Sequence, residues 1–184
     1  MRAKRIIVGF CVLASSVMSV WAGDAIEASI ATPAGEPAGN SLPSSATRID
    51  IEPWIHGDMP DDMKARLQAG FDLALERVQE IPECSGLFEA LSADALETLR
   101  TGLYFPINSH RKEKAVCGRA VAYTNVGAAP TFLCRDFSRL TDDRAAMYVI
   151  HEALHHAGLT EKPHDQGAMT SRAINTMVTN ACKL

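Results

Sequence analysis

Residues 141–161 read TDDRAAMYVIHEALHHAGLTE, and this stretch decides the fold around it. From Thr141 to Ala157 it contains no proline or glycine. It opens with a threonine and two acids, which suit a helix N-terminus, and Gly158 follows where a helix-ending glycine belongs. The sequence therefore predicts a helix from Thr141 to Ala157.

This helix carries the pattern HExxH at His151, Glu152 and His155. Residues four apart share one helix face, so the two imidazoles can bind one ion while Glu152 addresses a water on it. The alternative interpretation is a helix with ordinary surface histidines. An apolar stripe on the opposite side predicts the core face, and we expect the histidine face to be free for chemistry. The stripe consists of Ala146, Val149, Ile150, Ala153 and Ala157.

A catalytic zinc ion usually has three protein ligands and one open position for water, so the motif needs a third ligand. Glu161 lies six residues after His155, beyond the glycine, and is the favoured candidate. His164 is the alternative third ligand, and Asp165 is a weaker one. His156 points about 100° away from its neighbour on the helix, and we predict that it is not a ligand.

Extended to Glu161, the motif becomes HExxHxxGxxE, which resembles the metzincin motif HExxHxxGxxH with glutamate in place of the last histidine. The stretch from about Cys117 to Cys182 is also similar to small secreted bacterial zinc metallopeptidases of the zincin class. This resemblance implies a zinc ion bound by the two motif histidines and Glu161, with Glu152 as the base.

The function that the resemblance implies is a zinc-dependent peptidase, in which Glu152 activates a zinc-bound water to hydrolyse peptide bonds of a peptide or protein substrate. Tyr148 and Tyr123 are possible donors to the oxyanion, although buried tyrosines more commonly have structural roles. An alternative is an exported binding or inhibitor module whose metal site is structural or vestigial, with Glu161 and His164 both bound to the metal. A metal-dependent amidase acting on cell-wall peptide is a third hypothesis.

The start of the chain predicts export. Arg2, Lys4 and Arg5 precede an apolar run that ends in small residues, which indicates a signal peptide over residues 1–22 rather than a stable membrane anchor. Residues 23–50 are rich in Ala, Gly, Ser and Pro and predict a flexible leader, with a short propeptide as the alternative. Residues 51–184 are long enough for one domain, and we expect a secreted or periplasmic protein.

Charge and cysteine content restrict the partners and the compartment. The chain has 18 Lys and Arg against 22 Asp and Glu, and loss of residues 1–22 leaves 15 against 22, a net charge of −7. Nucleic acid and anionic membranes are therefore not expected partners. Four cysteines remain, and an even number in an oxidising compartment predicts two disulfides. We favour Cys117 with Cys134, across a hairpin, and Cys84 with Cys182, tying the last helix to the body of the domain.

These patterns predict the fold class α+β, with a small antiparallel sheet packed against the HExxH helix and with N-terminal and C-terminal helices. The resemblance implies that this domain is zincin-like. The edge strand beside the cleft is expected at Pro130–Cys134, by analogy with zincins. Helices are predicted over residues 58–81, from Ser92 onward and over 168–181, and strands over 103–107, 115–125 and 130–137.

Overall fold

The computed structural model describes residues 49–107 and 113–184, which belong to one compact unit. The predicted signal peptide and nearly all of the predicted leader lie outside the described residues. None of the helices within the described ranges is long and apolar enough to cross a bilayer.

Helices and a small sheet make up the described part of the chain. The helices are α1 (Asp61–Glu80), α2 (Pro82–Glu89), α3 (Ala95–Arg100), α4 (Asp142–His156) and α5 (Ser171–Cys182). The strands are β1 (Trp54–Ile55), β2 (Leu103–Pro106), β3 (Ala122–Thr124) and β4 (Pro130–Leu133). A π-helical turn, Glu113–Cys117, precedes β3, and a 3-10 segment, Arg135–Arg139, follows β4. The class is therefore α+β, as expected.

The four strands lie in the order β1-β2-β4-β3, and the sheet is mixed rather than antiparallel. The β1–β2 and β2–β4 pairs are parallel, and only the β3–β4 pair is antiparallel. Three helices separate β1 from β2, so the chain crosses over and enters the second strand in the same direction. The expectation of an antiparallel sheet was wrong for these two pairs.

The edge strand beside the motif helix is β3, so the expectation that Pro130–Cys134 forms this edge was also wrong. Strand β4 lies between β2 and β3 and is paired on both sides. The long connection after β2 brings the chain to the far side of β4 before it turns back at residues 125–129. The strand expected over residues 115–125 begins instead with the π-helical turn, and only its last part pairs with β4.

Helix boundaries follow the capping residues. The expected helix near Ser92 begins at Ala95, because the Asp94 side chain accepts a hydrogen bond from the Glu97 main-chain N–H at 2.7 Å. Ser92 lies in a turn with a φ of 58°. Helix α2 and strand β1 were not expected from the sequence, since both are short and have weak periodicity.

Helix α4 lies at the centre of the domain. It packs against α1, α5 and β3, and its apolar stripe is buried except at Ala157, which is partly exposed. The opposite face is also largely covered, because His151, Glu152 and His155 are only 3–4% exposed. Neighbouring elements cover α4 on both sides, so its polar groups need partners within the protein.

Both disulfides have the connectivity that the sequence favoured, Cys84–Cys182 and Cys117–Cys134. The first ties α5 to α2. The second does not bridge two strands, because Cys117 ends the π-helical turn and Cys134 follows β4. Two disulfides are compatible with an oxidising compartment.

Helices α1 and α4 approach each other closely at Gly70. A Cβ atom added there would lie 2.6 Å from the Ala145 Cβ and 2.9 Å from its carbonyl carbon. We expect Gly70→Ala to lower the free energy of unfolding by about 1–3 kcal/mol, because the two helices must separate. Urea unfolding measures this loss.

Gly86→Ala in α2 is the matched control, since an added Cβ there meets no atom within 4 Å. It should leave stability unchanged or raise it by up to about 1 kcal/mol, because alanine favours a helix more than glycine does. If both variants lost the same free energy of unfolding, the close contact between α1 and α4 would not be the reason for glycine at position 70.

The two disulfides should differ in their contribution to stability. Cys84 and Cys182 are 98 residues apart, whereas Cys117 and Cys134 are 17 apart. A crosslink over the longer loop restricts the unfolded chain more, within a typical range of about 2–5 kcal/mol. We expect paired Cys→Ser replacement of the first disulfide to lower the midpoint of urea unfolding further than replacement of the second. A greater loss on replacing the second would contradict this.

Candidate metal centre

The end of helix α4 brings Glu161 back towards the motif histidines. Gly158, with a φ of 106°, donates its main-chain N–H to the His155 carbonyl at 3.0 Å. Leu159 donates its N–H to the Leu154 carbonyl at 2.9 Å. This is the Schellman pattern of a glycine-terminated helix, and it reverses the chain direction. The reversal places residues 159–161 beside the last turn of α4.

Three ligand atoms meet at this place. The Nε2 atoms of His151 and His155 are 3.0 Å apart, and each lies 3.7 Å from the Glu161 Oε2. A triangle with these sides has a point about 2.0 Å from every corner, which matches the Zn–N and Zn–O bond lengths of about 2.0–2.2 Å. The group is therefore one that could hold a metal ion.

Hydrogen bonds on the far side of each ring determine which nitrogen faces the centre. The His155 Nδ1 is 2.7 Å from the Leu159 carbonyl oxygen, which can only accept, so Nδ1 carries the proton. The His151 Nδ1 is 2.6 Å from the Asn175 Oδ1, which likewise accepts its proton. In the neutral tautomer with the proton on Nδ1, each Nε2 presents a lone pair to the centre.

These hydrogen bonds leave three acceptors facing one another. The Glu161 Oε2 is buried and has no hydrogen-bond partner within the described residues. Burial, followed by the charge of His155, lowers the pKa of His151 to about 4, so this ring is neutral near neutral pH. Lone pairs at such distances repel one another, and a cation between them would remove the repulsion. The donor set of two imidazoles and one carboxylate suits zinc.

Glu152 lies beside this group, and one of its two carboxyl oxygens has no hydrogen-bond partner within the described residues. This oxygen, Oε2, is buried, and the described residues contain no cation that forms an ion pair with it. Burial raises the pKa of Glu152 to about 8, hydrogen bonds from the Thr124 side chain and main chain lower it, and the charge of Glu161 raises it. A cation at the centre would oppose the effect of burial.

Two adjoining cavities open on the centre. One, of about 230 Å³, is lined by β3 and α4 and includes Glu152 and Tyr148. The other, of about 360 Å³, extends towards His164 and Asp165. Both are lined by Tyr123, Thr124, His155 and Glu161. The ligand atoms therefore lie on a cleft that continues to both sides along the edge strand.

The other sequence candidates stay outside the ligand group. His164 is exposed in the second cavity, and among the residues described here the group contains only His151, His155 and Glu161. Asp165 accepts hydrogen bonds from Thr160 and from the Gly167 main chain. His156 is partly exposed and is likewise absent from the group.

Sequence reasoning missed Asn175, Thr124 and the Leu159 carbonyl. Thr124 and Asn175 are far from the motif in sequence, and the role of a carbonyl depends only on the path of the main chain. Only Asn175 had a signal in the sequence, because it is a polar residue next to the apolar stripe of the last helix.

Comparison with known proteins identifies no relative, since no protein-family model, curated protein or solved structure matches this chain.

The third ligand can be tested by metal affinity. We expect Glu161→Ala to weaken zinc binding strongly, because it removes one of three converging atoms. His164→Ala should leave affinity close to that of the wild type. Competition against a chromophoric chelator measures both, with His156→Ala as a control on the same helix. The reverse ranking of Glu161→Ala and His164→Ala would assign the third ligand to His164.

Proposed function

We propose that this chain is an exported zinc-dependent peptidase, with His151, His155 and Glu161 as metal ligands and Glu152 as the general base. The observation that carries the proposal is the convergence of three ligand atoms at the wall of a cleft, beside the buried Glu152 carboxyl. Among the described residues, the Glu161 Oε2 in this group has no hydrogen-bond partner. Two imidazoles and a carboxylate oxygen that converge at bond-length distance from one point form a donor set suited to a zinc ion.

The ligand set supports a catalytic rather than a structural metal. Structural zinc sites are closed by four protein ligands, whereas catalytic sites keep one position for water. His164 and Asp165 do not join the group, so three protein ligands leave one position towards the cleft. This favours an enzyme over the exported binding or inhibitor module with a structural metal.

Glu152 supplies the proton transfers. Zinc bound at the three atoms would polarise a water molecule and lower its pKa towards ~7. The Glu152 carboxylate accepts a proton from the attacking water and then donates it to the leaving amine. Thr124 holds the carboxylate against β3 by hydrogen bonds, and burial limits competing contacts with solvent.

Tyr148 is the better placed of the two tyrosine donors. Its ring centroid lies 6.4 Å from that of His151, and its hydroxyl has no hydrogen-bond partner in the described part of the chain. The Tyr123 hydroxyl instead donates to the Asn125 Oδ1. Tyr148 can therefore donate to a substrate carbonyl oxygen as negative charge develops on it.

Strand β3 provides a surface for an extended peptide. Cys134 donates its main-chain N–H to the Val121 carbonyl, and antiparallel alternation then turns the N–H and C=O of Ala122 away from β4. A substrate strand can pair with these groups by β-augmentation. The cleft on both sides of the centre accommodates residues before and after the scissile bond.

The role of Glu152 is tested by Glu152→Gln. We expect this variant to bind zinc as the wild type does but to lose casein hydrolysis by at least about 100-fold, because an amide cannot accept the proton. Glu83→Gln, at an exposed position of α2, is the matched control and should change neither property.

Casein cleavage that resists chelators, or full activity in Glu152→Gln, would refute the proposed peptidase. Cleavage of cell-wall peptide without cleavage of casein would retain the chemistry and reassign the substrate.

A further inference from the structure

We infer that Asn175 is a positioning residue for the metal centre, and that helix α5 is thereby a functional part of it. The inference rests on the metal site of the proposed function. It does not require that the bound metal be catalytic.

The contact itself is short and specific. The Asn175 Oδ1 lies 2.6 Å from the His151 Nδ1, across 24 residues of sequence. The other histidine is oriented from within its own segment, since the His155 Nδ1 donates to the Leu159 carbonyl. His151 alone depends on a side chain from another helix.

The orientation of Asn175 is determined by the core. Ile174, Val178 and Cys182 are fully buried on one stripe of α5, and this stripe sets the rotation of the helix. Asn175 is next to the stripe, on the edge that faces α4. The Thr170 side chain caps the start of α5 at 3.2 Å, and the Cys84–Cys182 disulfide attaches its end to α2. Both ends of α5 are therefore held.

The hydrogen bond from Asn175 determines whether the Nε2 lone pair of His151 is available to a metal ion. An acceptor at Nδ1 keeps the proton there, so Nε2 is available to a cation, and it also fixes the plane of the imidazole. Without that acceptor, His151 can rotate or carry its proton on Nε2, where it would hydrogen-bond to the His155 Nε2 only 3.0 Å away. This alternative pair would compete directly with the metal.

The test compares zinc affinities of the oxidised chain by competition with a chromophoric chelator. Loss of an outer-shell partner typically weakens metal affinity 10–100-fold, and we expect this for Asn175→Ala and for the similarly sized Asn175→Leu. Asn175→Asp retains an acceptor oxygen at the same position, and its affinity should be within a few-fold of the wild type or tighter. This rescue separates positioning from packing.

Val178→Ala is the matched control for a general loosening of α5, because Val178 is fully buried on the same helix and is not a partner of His151. It should lower the thermal midpoint without changing the zinc affinity of the folded chain. Cobalt(II) absorption adds a second readout, since a displaced His151 alters the ligand-field bands whereas a packing defect does not.

The inference would be overturned if Asn175→Leu bound zinc with wild-type affinity, or if Asn175→Asp and Val178→Ala lost zinc affinity to the same extent. A wild-type chain that binds no zinc would also overturn it. A zinc-binding chain without peptidase activity in which Asn175→Leu still weakens binding would refute the proposed function and leave the positioning role intact.

Discussion

The mutual repulsion of three buried acceptors is the constraint on which the candidate site depends. Two imidazole nitrogens and one carboxylate oxygen face one another across 3.0–3.7 Å, and the carboxylate oxygen has no hydrogen-bond partner among the described residues. Each ring is kept in this state by an acceptor at its Nδ1. Electrostatic repulsion between these atoms is unfavourable in the fold, and a divalent cation bound between them would remove it.

The rest of the domain maintains this arrangement. Helix α4 lies close against α1 at Gly70, the Schellman turn after α4 returns Glu161 to the motif, and α5 is fixed at both ends beside His151. Strand β3 closes the remaining side and holds Glu152 through Thr124. Residues as far apart in sequence as Thr124 and Asn175 therefore meet at one point, and two disulfides restrict the separation of the surrounding elements.

Local features could be predicted from the sequence because they depend on neighbouring residues. The boundaries of α4 follow from Thr141 and Gly158. The ligand candidate Glu161 was found by its spacing from the motif. These inferences needed only helical periodicity, capping chemistry and the length of a turn.

Features set by long-range packing could not be predicted. Strand direction depends on where a crossover returns, so the parallel pairs and the position of β3 at the edge were missed. Burial of the histidine face depends on α5, which covers a surface that periodicity alone assigns to solvent. Asn175 reaches His151 because the buried apolar stripe of α5 determines the rotation of that helix against α4.

Zinc K-edge X-ray absorption of the zinc-loaded oxidised chain tests the central claim most directly. The account predicts four light ligands at about 2.0 Å, with the outer-shell scattering of two imidazoles and no sulfur. A six-coordinate ion without imidazole scattering, or a sulfur shell, would show that these three residues do not form the site.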